Sequence, residues 1–160
     1  MLALLAPALL WTSAIGCGLM AGVYFAFSAF IMTSLGRIAP ASGIAAMNAM
    51  IVDIVGSSFM PVFLLTTLSA ASLVVLGVVR WGQPGSALMV IGGAIYVLGM
   101  FVVTMMFNQP LNVALAAADP ASQGVDFWSR YLTEWTMWNH VRTVASTIAT
   151  GMFVAALAGR

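Results

Sequence analysis

The stretch "IVGSSFMPVFLLTTLSAASLVVLGVV" (Ile54–Val79) decides the fold, because it carries no charge over a length that crosses a lipid bilayer. A membrane-spanning helix needs roughly 20 apolar residues at a rise of about 1.5 Å each. The run is continuous rather than alternating, which indicates an α-helix and not a barrel strand. It stops at "RWGQPGS" (Arg80–Ser86), a tight turn rich in glycine and proline.

Three further apolar runs flank this segment. Together they predict spans at about 8–35, 54–79, 87–107 and 138–159, in a single membrane domain that covers residues 1–160. The predicted fold class is therefore all-α, an integral membrane four-helix bundle. An even number of spans places both termini on the same side. It also brings the first and third connections together, which predicts a polar cluster at one end of the bundle.

The composition favours the lipid bilayer as the solvent of this chain. Charged residues make up 6% of the sequence, against about 25% in ordinary soluble domains. The net charge is +1 and there is no lysine, so we expect no nucleic-acid partner. We expect a multi-pass protein, in the bacterial inner membrane. Gly18-x-x-x-Gly22 in the first span permits a homo-oligomer.

The second helix poses a problem of length. As one helix, Ile44–Val79 would extend about 54 Å, well beyond a hydrocarbon core of about 30 Å. Its beginning is therefore expected to project from the bilayer or lie along its surface, with a kink at Pro61. Asp53 then lies near the interface, where we expect a structural ion pair with Arg142 or Arg37.

The third connection, from Asn108 to about Thr133, is the longest. Within it, "LNVALAAA" predicts a short surface helix, "DPASQG" a turn, and "VDFWSRYLTEW" a helix that leads into the fourth span. Its first residues, "NQPLN" (Asn108–Asn112), have two interpretations. They form either a helix end stopped by proline and capped by asparagine, or a polar rim that holds a ligand oxygen.

Most of the candidate chemistry lies in "EWTMWNHVRT" (Glu134–Thr143), which holds the only histidine of the chain. One interpretation is an interfacial anchor, with tryptophan at headgroup level and arginine reaching for water. The other places Asn139, Arg142 and His140 at a cavity between helices, since an ionisable residue in a span indicates function. The aromatic patch in "GVYFAFSAF" (Gly22–Phe30) is likewise either packing or the wall of a ligand site.

Several kinds of site are disfavoured by the residue inventory. One histidine and one cysteine cannot supply an ordinary catalytic zinc site, so no metal is predicted. No phosphate-binding loop or dinucleotide fingerprint is present. We therefore predict no cofactor. The alternative is a haem with His140 as its axial ligand.

Three motifs, "GVYFAFSAFIM", "TMMFNQPLN" and "WTMWNHVRT", occur in this order, with the long second helix between the first two. In this the chain resembles the anthrone oxygenase-like family of small four-helix membrane proteins. The resemblance implies a membrane oxygenase that oxidises a flat lipophilic aromatic, such as an anthrone, quinol or phenol, with O₂ and without a cofactor. The alternative is a non-catalytic membrane protein that binds a quinone-like ligand or acts as an assembly subunit.

The resemblance also implies roles for individual residues. Anthrone oxidation begins with loss of a proton beside a carbonyl, so it requires a proton acceptor and a group that stabilises an oxyanion. His140 is the implied base, because imidazole exchanges protons near neutral pH. The implied oxyanion and ligand contacts are Asn108, Asn112, Asn139 and Arg142, and the implied aromatic walls are Tyr24, Phe27, Trp135 and Trp138.

Overall fold

The computed structural model describes residues 2–118 and 124–159, and this part of the chain is helical with no strand. Three short stretches have π-helical geometry, which we call π1, π2 and π3. The elements are α1 (Leu2–Ala26), π1 (Phe27–Ile31), α2 (Met32–Arg37), α3 (Pro40–Gly56), α4 (Phe59–Val79), α5 (Ser86–Tyr96), π2 (Val97–Val102), π3 (Thr104–Asn108), α6 (Gln109–Ala117) and α7 (Gly124–Ala158).

Within residues 2–118 and 124–159, four helical stretches are long and apolar enough to cross a membrane. They run over Leu5–Arg37, Phe59–Val79, Ser86–Ala117 and Asp126–Ala158. Large apolar side chains such as Leu68 and Val75 stay exposed on the outside of these helices, as lipid-facing residues do. The protein is therefore an integral membrane four-helix bundle, which confirms the predicted fold class.

The second helix is broken rather than kinked. Ser57 has an extended backbone, with φ −93° and ψ 174°, and separates α3 from α4. Its hydroxyl donates to the Ile54 carbonyl and accepts from the Phe59 amide, at 2.9 and 3.2 Å, which satisfies groups at both helix ends. The predicted kink at Pro61 was wrong. Pro61 lies in the first turn of α4, where a missing N–H costs nothing.

The third and fourth spanning helices extend further than their apolar runs. The third continues through Pro110 to Ala117, because π2 and π3 change the register of the backbone hydrogen bonds before the proline is reached. The helix predicted for "VDFWSRYLTEW" is the first part of α7 and is continuous with the fourth span. The predicted turn "DPASQG" covers residues 119–124, and all of it except Gly124 lies outside the described part of the chain.

Two apolar cores hold the bundle together. The first is formed by α1, α4, α5 and α7, around buried residues such as Leu73, Tyr96 and Phe153. The second joins α2, α3 and α6 to the beginning of α7, around Met47, Leu115 and Trp128. The candidate site lies where these two cores meet.

Candidate functional site

A cavity of about 280 Å³ opens between α1, α3, α4, α7 and the π3–α6 segment. Most of its wall is apolar, and much of it comes from α3 and α4. The apolar lining includes Met47, Met50, Ile51, Ile54, Phe59, Met60 and Phe63. The polar lining consists of Tyr24, Thr104, Gln109, Asn112 and Arg142. This combination suits a lipophilic ligand with a few oriented polar atoms.

Arg142 is the charged residue of this wall, and 5% of its surface is exposed. Its guanidinium carbon lies 4.4 Å from the centre of the Tyr24 ring and 4.9 Å from the Trp135 ring. In the described part of the chain no carboxylate lies within ion-pair distance of Arg142, and its buried Nε has no hydrogen-bond partner. Arg142 is therefore a buried cation without an anion.

A short hydrogen-bonded chain fixes the position of Arg142. Its Nη2 donates to Asn139 Oδ1 at 2.7 Å, and Asn139 Nδ2 donates to the Tyr24 carbonyl and to Ser28 Oγ, both at 2.7 Å. The Tyr24 carbonyl lies in the last turn of α1, three residues before π1 begins at Phe27. Asn139 is fully buried and does not line the cavity, so it orients Arg142 from behind.

The two asparagines of "NQPLN" differ in position. Asn108 is buried, and its Nδ2 donates to the Trp135 carbonyl at 3.1 Å, which ties π3 to α7. Asn112 lines the cavity, and its Oδ1 accepts from Tyr131 Oη and from Trp135 Nε1, both at 2.9 Å. Of the two predicted ligand contacts, only Asn112 lies at the cavity.

Three of the four predicted aromatic walls are at the cavity. Tyr24, Phe27 and Trp135 line it, and the Phe27 and Trp135 rings are 5.4 Å apart at an angle of 53°. Trp138 is not part of the wall. It stacks on Phe107 with a centroid distance of 3.7 Å.

His140 lies outside the cavity. It is exposed, in a separate surface groove that it shares with Arg37 and Thr136. Its Nδ1 makes a 2.9 Å hydrogen bond with Ser28 Oγ, so it connects to Arg142 only through Ser28 and Asn139. The geometry does not bring His140 to a ligand in the cavity.

The expected ion pair of Asp53 is not formed. Asp53 is exposed, and among the described residues it makes no ion pair with Arg37 or Arg142. The reason is the break after Gly56, which lets α3 direct its methionine and isoleucine side chains into the cavity and leaves Asp53 outside. The ion pair that the structure shows joins Arg130 to Glu134 on the surface of α7, at 2.7 Å.

Sequence reasoning missed Thr104, Gln109 and the methionines of α3. Thr104 lies four residues before Asn108, which lies four before Asn112, and a four-residue spacing marks one helix face. That spacing was an available signal for Thr104. Among residues 2–118 and 124–159, no group of three or more His, Cys, Asp or Glu is placed to hold a metal ion.

The fold and this site define a four-helix integral membrane protein with a lipophilic cavity, whose wall holds a buried cation that has no carboxylate partner among the described residues. A family model described as anthrone oxygenase matches residues 49–152. Since this is more than half of the chain, the protein belongs to the anthrone oxygenase family, as its motifs indicated. No curated protein and no solved structure matches the chain. The family match includes Arg142, Asn139 and Asn112, whereas Tyr24 and Phe27 precede it.

Proposed function

We propose that this protein is a membrane oxygenase of the anthrone type, which oxidises a flat lipophilic aromatic with O₂. The observation that carries the proposal is Arg142, a buried cation at an apolar cavity with aromatic rings in place of an acid. Burying a charge without a counter-ion is costly, so such a residue indicates an anionic ligand or intermediate. Family membership supports the same conclusion.

The proposed reaction replaces both C–H bonds of a ring CH₂ by one C=O bond, so two protons leave the carbon and the balance of the reaction returns two to the water that forms. Loss of a proton from the ring CH₂ beside the carbonyl system gives an enolate, whose oxygen carries the negative charge. The enolate passes electrons to O₂, and one oxygen atom becomes bound to the former CH₂ carbon. The C–H bonds at that carbon are replaced by C=O, and the second oxygen atom leaves as water. The ring carbon is oxidised and O₂ is reduced.

In this proposal the chain contributes binding and electrostatics. Arg142 binds the enolate oxygen and so favours proton loss, because a fixed cation in an apolar site stabilises developing negative charge. Tyr24, Phe27 and Trp135 hold the flat rings. Asn139 positions Arg142, and His140 supports that arrangement through Ser28. The proton leaves to water at the mouth of the cavity.

The reaction is proposed to need no cofactor, because the enolate itself supplies the electrons. The single histidine of the chain lies away from the cavity, so a haem on His140 would not face the proposed ligand. We place the protein in the bacterial inner membrane, where membrane proteins cross the bilayer as apolar helices rather than as barrels.

The test is oxygen uptake by purified protein in nanodiscs supplied with anthrone. Arg142→Met is expected to lower kcat/KM by roughly 100-fold or more, as removal of an oxyanion-stabilising group does. Arg130→Met is the matched control, since Arg130 is on the same helix but exposed and away from the cavity. Turnover by Arg142→Met at the wild-type rate, with wild-type folded yield, would sink the proposal. Binding of anthrone without oxygen uptake would favour a non-catalytic quinone-type binder.

A further inference from the structure

The amide of Asn112 has one possible orientation. Trp135 Nε1 can only donate a hydrogen bond, so the group that faces it at 2.9 Å must be the Asn112 oxygen. The Tyr131 hydroxyl donates to the same oxygen. Both acceptor positions of Oδ1 are therefore used, and the amide nitrogen is the group left for another partner.

That amide nitrogen has no partner within the described residues. Asn112 is half-buried and lines the cavity, and no hydrogen bond to its Nδ2 is formed in the described part. A few polar side-chain atoms in the described part are fully enclosed and have no partner, and Nδ2 is not one of them. Since Nδ2 has no partner either, it must be accessible. An unpaired donor at a largely apolar wall indicates an acceptor atom on the ligand.

Arg142 and Asn112 are two separate donors arranged around one ring. The Arg142 guanidinium lies 4.9 Å over the Trp135 ring, whereas Asn112 is at the Nε1 edge of that ring. The hydroxyls of Tyr24 and Thr104 already donate to Met100, to its sulfur at 3.5 Å and its carbonyl at 2.7 Å. Besides the exposed amide of Gln109, the cavity therefore offers two donors that adjoin the same indole, Arg142 over its face and Asn112 at its Nε1 edge.

From this arrangement we infer that Asn112 Nδ2 binds the oxygen atom that the reaction adds to the ring carbon. This inference rests on the proposed function, in which Arg142 binds the oxygen already present. An anthrone bound to Arg142 through its oxygen then directs its CH₂ edge towards Asn112. When O₂ attacks that carbon, the new oxygen accepts a hydrogen bond from Nδ2. The ligand class is a fused-ring ketone of roughly two or three rings, which suits a cavity of about 280 Å³.

The inference is tested with anthraquinone and anthrone, which differ by one carbonyl oxygen. Affinities are measured anaerobically by quenching of tryptophan fluorescence in nanodiscs. The wild type is expected to bind anthraquinone about tenfold more tightly, the value of one added hydrogen bond. Asn112→Asp keeps the acceptor for Tyr131 and Trp135 but replaces the donor, and it is expected to abolish this preference. Gln83→Glu, a matched change at an exposed amide that does not line the cavity, should retain the preference.

Each outcome has a separate meaning. Equal affinities in the wild type overturn the role of Asn112 without needing any variant, while Arg142-dependent oxygen uptake would still support the proposed function. A preference that survives in Asn112→Asp, or disappears in Gln83→Glu, also overturns it. If neither compound binds, the proposed function fails and the inference fails with it.

Discussion

Arg142 is held by aromatic rings and an amide, in a position where soluble proteins usually place a carboxylate. Rings attract a cation without neutralising it, and each such contact contributes about 0.5–2 kcal/mol. An aspartate in the place of one of these rings would neutralise the positive charge of Arg142, and no net charge would remain to attract a ligand. The arrangement therefore stabilises Arg142 in the folded bundle and keeps its positive field available at the cavity.

The planar shape of the guanidinium is expected to matter as well as its charge. In Arg142→Lys, a compact ammonium group replaces the planar guanidinium that lies over the Tyr24 and Trp135 rings and donates to Asn139. We expect kcat/KM for anthrone to fall by about 10- to 100-fold with folded yield unchanged. Steady-state oxygen uptake measures this. Activity equal to the wild type would show that charge alone suffices.

His140 provides a test of positioning against direct proton transfer. Since it contacts Ser28 and not the cavity, His140→Gln is expected to lower kcat by less than about tenfold. Ser28→Ala should have a similar effect, because it removes the same connection to Asn139. The measurement is the pH profile of kcat for both variants. Loss of turnover in His140→Gln alone would instead make His140 the base.

Among the helices, close approach between α4 and α5 fixes the bundle that supports the cavity. A Cβ atom placed on Gly93 would lie 2.6 Å from the Ala70 carbonyl oxygen and 2.6 Å from Val74 Cγ2. Backbone cannot move aside as a side chain does. Gly93 is therefore a contact point at which the two helices touch through their main chains, as small residues allow in membranes.

Gly93→Ala is expected to destabilise the bundle by about 1–3 kcal/mol through overpacking. Gly22→Ala is the matched control, since a Cβ there meets nothing within 4 Å. That change should be neutral or stabilise by up to about 1 kcal/mol, as alanine favours a helix over glycine. Thermal unfolding in detergent measures both. A Tm for Gly93→Ala equal to that of Gly22→Ala would mean that α4 and α5 separate without cost.

The sequence predicted the helices better than it predicted the site, for physical reasons. Length and continuous apolarity define a membrane span locally, so the four-helix fold followed from composition and spacing. The break at Ser57 depends on the backbone conformation of that one residue, and the pattern of apolar residues does not predict this conformation. The site depends on which helix faces which: of the predicted site residues, Arg142 and Trp135 line the cavity, whereas His140 and Trp138 do not.

For the molecule as a whole, the residue inventory predicts a colourless protein. The visible absorption spectrum, recorded as isolated and after reduction, is expected to show no haem or flavin band, because the proposed chemistry draws its electrons from the ligand. Heat-denatured protein provides the baseline. A haem band that is lost in His140→Ala would identify His140 as an axial ligand and would contradict the cofactor-free proposal.

Arg142 lies within the stretch Asp126–Ala158, which is long and apolar enough to cross a bilayer, and near the beginning of the predicted span 138–159. A neutral aromatic reaches that depth without moving any charge across the membrane. The proton that it loses there must leave through part of the transmembrane electric field, which acts on each elementary charge with about 2.3 kcal/mol per 100 mV. In the proposed reaction, formation of the enolate is therefore expected to depend on the membrane potential.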